Sequence, residues 1–127
     1  MALVFNKIGR ILIVDDDPIS ILISETLLQK HFHVSSVSNG FDAIKAVEEN
    51  EFDIVLMDIN LGNELMDGVA TMKLIRQITK CANMKIFAIT SYSPDDLTFL
   101  NQGFDRVYIK PIIKEEIIDA MKDQMCA

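Results

Sequence analysis

Basic residues, cysteines and long apolar runs are all in short supply, and each shortage narrows what the chain can do. Lys and Arg number 12 against 19 Asp and Glu, a formal net charge of −7. Non-specific nucleic-acid binding draws on clustered cations, so that class is disfavoured and no direct nucleic-acid contact is expected. The two cysteines, Cys81 and Cys126, lie far apart without C-x-x-C or histidine partner spacing. They read as free thiols of a reducing compartment. No apolar run approaches the ~18 residues that cross a bilayer, so no membrane insertion is expected. At the N-terminus the cations follow the apolar residues, the reverse of a secretory signal. A cytoplasmic location is the resulting expectation. The 127 residues contain no internal repeat, low-complexity tract or linker. That length suits a single domain with a real core over about residues 8–124, after a short leader.

What is present is a series of short apolar segments that end in polar residues. Ile54 to Met57 are apolar without alternation and stop at Asp58, the signature of a strand covered on both faces by helices. Ile11 to Val14 end the same way, in Asp15, Asp16 and Asp17. Asp17 before Pro18 has the grammar of a helix start, and the helix is predicted to run to about Lys30 with Ile19, Leu22, Ile23 and Leu27 as its apolar face. His33–Val37 reads as an edge strand, Asn39-Gly40 as a turn, and Ala43, Ile44 and Val47 as the face of a second helix. Val69, Met72, Ile75 and Ile78 mark a third helix. Lys85–Ile89 is a strand stopping at Thr90-Ser91, and Ser93-Pro94-Asp95-Asp96 opens a fourth helix that Gly103 ends. Val107–Ile109 is the last strand, closed by Lys110-Pro111, and Ile117, Ala120 and Met121 face inward on a fifth helix. Five strands alternating with five helices predict an α/β, doubly wound, five-stranded parallel sheet in the flavodoxin-like order 2-1-3-4-5.

That order puts the first and third strands side by side, about 4.8 Å apart, so Asp15 or Asp16 meets Asp58 at the carboxyl edge. Two carboxylates ~4 Å apart repel by about 4 kcal/mol at an effective dielectric of 20. Either one is protonated or a cation sits between them. Oxygen ligands on loops suit Mg²⁺ better than Zn²⁺. Thr90 and Lys110 end neighbouring strands at the same edge and offer a hydroxyl and a point charge. Such a set can perform phosphoryl transfer, with Asp58 as the nucleophile that forms an acyl phosphate. Each residue alone has a structural explanation as a helix cap or a strand exit; their convergence carries the chemistry. His31 and His33 belong to a helix end and an edge strand, too far along the chain to be ligands.

Taken together, Ile11 to Pro18, Val55 to Asn60, Met66-Asp67-Gly68, Ile89-Thr90-Ser91 and Tyr108 to Pro111 resemble the receiver domains of two-component response regulators over about residues 8–124. The resemblance implies that Asp58 accepts a phosphoryl group from a phosphohistidine on a sensor histidine kinase or phosphotransfer protein. It implies Mg²⁺ held by the side chains of Asp16 and Asp58, by Asp15 through water and by the backbone carbonyl of Asn60. Thr90 would close on the phosphoryl group, Lys110 would pair with its oxygens, and the Lys110-Pro111 bond is expected to be cis. The chain would then catalyse at most its own phosphorylation and dephosphorylation.

Three departures stand out. Gly62 occupies the usual proline position, the loop through Asn63-Glu64-Leu65 is about two residues longer than usual, and Val107 replaces a frequent aromatic. Tyr108, one residue along, should face elsewhere, and Tyr92 borders the site. Phosphorylation would shift a two-state equilibrium through the fourth helix, fifth strand and fifth helix, with Leu97, Phe99, Tyr108 and Ile112 either marking a partner surface or lying in the core. No output domain follows, so a downstream protein is expected to read the signal, unless the chain is a fragment. Two rivals exist: a receiver-like adaptor acting without phosphorylation, and a haloacid-dehalogenase-type phosphatase with Asp15 as nucleophile in Asp15-x-Asp17.

Overall fold

The structure, a computed structural model, describes residues 7–62, 66–91 and 96–125. Its strands are β1 (Arg10–Val14), β2 (His33–Val37), β3 (Ile54–Asp58), β4 (Lys85–Thr90) and β5 (Arg106–Ile109). Its helices are α1 (Pro18–Leu28), α2 (Gly40–Glu49), α3 (Gly68–Gln77), α4 (Asp96–Gln102) and α5 (Lys114–Met125), with a 3₁₀ turn at Thr79–Cys81. All strand pairings are parallel and the order is β2-β1-β3-β4-β5, the predicted one.

The helix starts are written locally. Asp17 accepts a hydrogen bond from the Ile19 amide at 3.0 Å, and Pro18 occupies the first turn, where its missing N–H costs nothing. Asn39 caps α2 through the Asp42 amide and Asp67 caps α3 through the Ala70 amide. The Asn39-Gly40 turn is therefore the first turn of a helix, with Gly40 already inside it. The Ser93–Asp95 part of the predicted fourth-helix start, like Tyr92, Asn63–Leu65, Cys126 and the first six residues, lies outside the described residues.

Strand side chains alternate between two apolar layers. Leu12, Val14, Val55, Met57, Ile86 and Ala88 pack with α2 and α3 through Ala43, Val47, Met72 and Ile75. Ile11, Ile13, Ile54, Leu56, Phe87 and Ile89 pack with α1 and α5 through Leu28, Ile117, Ala120 and Met121. Right-handed crossovers explain the division: the chain moves one way from β1 to β2 and the other way from β2 through β5. The reversal opens a crevice at the carboxyl ends of β1 and β3.

One expectation needs correction, and one alternative left open by the sequence is settled. On α1, Ile19, Leu22 and Ile23 face solvent at 69%, 64% and 49% exposure, while Ser24 and Leu28 are buried. The sheet takes the face carrying Ser24 and Leu28, and Ile21 and Leu27 pack partly buried beside them. Ile19, Leu22 and Ile23 are left outside. Near β5, Phe99 meets Phe104 edge-on at 6.3 Å, Tyr108 meets Phe87 edge-on at 5.6 Å, and Ile112 is buried. Phe99 and Tyr108 pack partly buried against the core and Ile112 lies in it, and among the described residues the exposed apolar groups there are Leu100, Ile109 and Ile113. Leu97 has no described side chain.

A cross-brace fixes the far end of the sheet. Arg76, at the end of α3, donates to the carbonyls of Met84 and Gly103 and pairs with Asp105 at 2.7 Å. The same Asp105 oxygen accepts the Ile86 amide at 2.8 Å. One guanidinium thus ties α3 to the start of β4 and to the turn after α4.

Candidate functional site

Strand register assembles the site. Val14 pairs with Met57, so the residues that follow, Asp15 and Asp58, leave the sheet side by side. Asp58 pairs with Ile89, and Thr90 with Ile109, which puts Thr90 and Lys110 one step further along the same edge. The Lys110 amide donates to the Thr90 carbonyl at 2.7 Å, and the Lys110-Pro111 bond is cis.

Asp15, Asp58 and Thr90 are each buried, at 4%, 6% and 6% exposure. The two acids are held alike. One oxygen of each accepts an amide two residues ahead, from Asp17 to Asp15 and from Asn60 to Asp58, both at 3.0 Å. The other oxygen of each accepts from the Lys110 ammonium, at 3.0 Å for Asp15 and 3.1 Å for Asp58. Asp16 completes the cluster from the exposed side: oxygens of Asp15, Asp16 and Asp58 lie within 4.8 Å of one another. Asn60 contributes its amide to Asp58 and is itself exposed.

The electrostatics follow from burial. Desolvation pushes Asp58 up, the Asn60 amide and Lys110 pull it down, and repulsion from Asp15 adds to the rise; the carboxyl ends at about 6. Asp15 feels the same burial, but the Asp17 amide, Lys110 and Ser20 outweigh it and hold it below the ordinary carboxylate value. Burial lowers Lys110, yet its two carboxylate partners more than compensate and its ammonium is held above the usual lysine value. One cation therefore faces two adjacent acids, and the pair is not neutralised.

The set fits a hard divalent cation. The donors are carboxylate oxygens, three of them converge, and one acid ionises less readily than an ordinary carboxylate, so further positive charge there would be favourable. The site thus brings together Asp15, Asp16, Asp58, Thr90 and Lys110 at one edge. Asp17, by contrast, is spent on capping α1, so the Asp15-x-Asp17 pair of the phosphatase rival does not face one centre. Sequence reasoning reserved Lys110 for phosphate oxygens and missed that it bridges the two acids here. The demand of two buried carboxylates for a cation was the available signal. It also missed the paired amide contacts, for which the i to i+2 spacing after each Asp was the cue.

Comparison with known proteins points the same way. Residues 11–122 match the family described as the response regulator receiver domain. Sensor protein GacS of Pseudomonas syringae pv. syringae is 32% identical over 118 residues, covering 88% of this chain and 13% of that protein. Transcription factor SKN7 of Saccharomyces cerevisiae is 31% identical over 111 residues, covering 85% of this chain and 17% of that protein. The chain therefore spans less than a fifth of either relative's length. In fold it is similar to a putative response regulator from Chloroflexus aurantiacus, with a TM-score of 0.83 at 22% identity over 94% of this chain and 98% of that one. The receiver domain of a sensor histidine kinase from Pseudomonas aeruginosa, crystallised with a magnesium ion coordinated in the active-site cleft, gives a TM-score of 0.81 at 24% identity over the same shares. No helix among the described residues is long and apolar enough to cross a membrane. With strand order, acidic edge and 112 of 127 residues accounted for, the chain belongs to the response regulator receiver domain family of two-component signalling.

Proposed function

We propose that this chain is a single phosphoacceptor unit in which Asp58 takes a phosphoryl group from a phosphohistidine. The observation that carries the reading is the convergence of three carboxylates, with oxygens of Asp15, Asp16 and Asp58 within 4.8 Å of one another and Lys110 bridging two of them, Asp15 and Asp58. Mg²⁺ would be held by Asp15, Asp16 and Asp58 and by the Asn60 carbonyl, where it supplies positive charge against the phosphoryl oxygens. An Asp58 oxygen attacks phosphorus while the P–N bond to the donor histidine breaks, and its electron pair returns to the imidazole. Asp58 is poised for this because burial and Asp15 leave its charge poorly compensated. Lys110, 3.1 Å from that carboxylate, then exchanges carboxylate oxygens for phosphoryl oxygens, and the Thr90 hydroxyl closes on the same group.

The donor would be a sensor histidine kinase or a phosphotransfer protein. Its docking is supported by the exposed stripe of Ile19, Leu22 and Ile23, which borders a hollow of about 230 Å³ lined by Ile23, Ser24, Lys110 and Ile112. The reading carries a cytoplasmic location with it, since such kinases are charged by ATP. Output would leave through α4, β5 and α5, where Leu100, Ile109 and Ile113 are exposed. An aromatic swing at position 107 has no part in it. Val107 fills that place, and Tyr108 is engaged with Phe87 in the other layer.

Treatment of the chain with Mg²⁺ and a small acyl phosphate, followed by mass mapping, tests the proposal. A label on Asp58 that disappears in Asp58→Asn is the expected result. A label on Asp15 or none at all refutes it.

A further inference from the structure

Gly62 stands where receiver domains usually carry proline, and its backbone says why proline is absent. Its φ is +67°, whereas the proline ring fixes φ near about −65°. The loop leaving β3 therefore turns in the opposite sense at this residue. The turn is pinned from behind, because Leu61 is 4% exposed and packs in the layer with Leu12 and Met57.

The bare Cα of Gly62 also borders the acidic cluster. A Cβ built there would lie 2.6 Å from Asp16 Oδ2 and 3.8 Å from Asp16 Cγ, the only contacts within 4 Å among the described residues beyond its chain neighbours. Asp15 and Asp58 are each fixed by an amide and by Lys110. Asp16 is the exposed member of the cluster, and the Gly62 backbone is packed against its carboxylate. A methyl group at position 62 would be relieved most cheaply by swinging that carboxylate away, since the side-chain end moves more easily than a loop anchored by Leu61.

We propose that Gly62 is a positioning residue: its missing side chain sets where the Asp16 carboxylate sits, and through it the divalent-cation affinity of the cluster. The inference rests on the proposed metal role of Asp15, Asp16 and Asp58, and adds a residue that touches no metal itself. Groups that orient a metal ligand typically change metal affinity by about 10–100-fold when altered.

The test is calorimetric titration of the full chain with Mg²⁺, without any phosphodonor. Gly62→Ala is expected to weaken Mg²⁺ binding at least about tenfold, as is Asp16→Asn. In the Asp16→Asn background, Gly62→Ala is expected to change affinity by less than about twofold, because both act through one carboxylate. Far-UV circular dichroism and urea unfolding check the fold. Should Gly62→Ala not fold, Gly62→Asn keeps the Cβ while tolerating the left-handed backbone, and it is expected to weaken binding equally. Wild-type-like affinity in the folded Ala or Asn variant overturns the role of Gly62 alone. So does a loss that adds in full to that of Asp16→Asn. A wild-type chain that binds no Mg²⁺ overturns this inference together with the metal reading beneath it.

Discussion

Asp58 pays for its reactivity in stability, and neutralising it should make the protein more robust. Burial and the neighbouring Asp15 raise its carboxyl from 3.8 to about 6 despite the help of Asn60 and Lys110. A rise of about two units corresponds to about 3 kcal/mol against the folded anion. The group is 7% exposed, so little solvent screening reduces that figure. The sign follows from proton uptake. Between pH 3.8 and about 6 the folded chain keeps a proton that the unfolded chain has lost. Stability therefore falls as pH rises through that window, and the full cost is present above it. Asp58→Asn removes the charge and keeps the shape, though its NH₂ must face a donor, either the Lys110 ammonium or the Asn60 backbone N–H. The variant is expected to gain about 1–3 kcal/mol at pH 7.5, which raises Tm by about 3–5 °C per kcal/mol for a chain of this size. The assay is urea unfolding of both proteins in chelator-treated buffer from pH 3.5 to 7.5. The gain should shrink to nothing near pH 4, and added Mg²⁺ should narrow it at pH 7.5 by stabilising only the wild type. A variant less stable than wild type at pH 7.5, or a gain that is the same at every pH, would refute the electrostatic account.

Removing the counter-charge should do the reverse. Lys110→Met leaves Asp15 and Asp58 facing each other and is expected to cost about 2–4 kcal/mol at pH 7.5; urea melts should show that loss easing as pH falls, starting above the wild-type value of about 6 because Lys110 no longer pulls the Asp58 carboxyl down. Arg76→Met breaks the pairing with Asp105 and uncovers the Gly103 and Met84 carbonyls, so chemical denaturation should register a loss of about 2 kcal/mol; a change near zero means the brace contributes nothing. Ile23→Asp lies on the exposed face of α1, and should leave stability within about 0.5 kcal/mol. The same change should slow phosphotransfer from a donor protein at least about tenfold while labelling by a small acyl phosphate is unaffected; equal loss with both donors would show damage to the site instead of the docking face.

Local chemistry made much of this molecule legible before folding. Ile54–Met57 and Ile11–Val14 are apolar on both faces, which suits strands of a sheet covered on two sides, and parallel connections then leave the order 2-1-3-4-5 as the leading candidate. Asp15, Asp58, Thr90 and Lys110 could be grouped because each ends a strand, and parallel strands end at one edge. Asp17-Pro18 announced its helix because a cap acts within three residues.

Other features belong to the tertiary structure. The sequence of α1 offers two candidate inner faces, Ile19, Leu22 and Ile23 on one and Ile21, Leu27 and Leu28 on the other, and apolarity does not choose between them. The buried Ser24 and the exposed Leu22 were decided by which side the crossover from β1 to β2 turns toward the sheet. Phe99, Tyr108 and Ile112 could be surface or core on pattern alone, and ring contacts across separate elements settled them as packed in or against the core. Lys110 reaches Asp15 across 95 residues of chain, so nothing local to either announces the bridge. The positive φ of Gly62 depends on a loop hung between buried Leu61 and the acid it faces. Periodicity and capping are short-range and survive in the sequence. The choice between two faces, and the pairing of charges from opposite ends of the chain, exist only once distant segments compete for the same space.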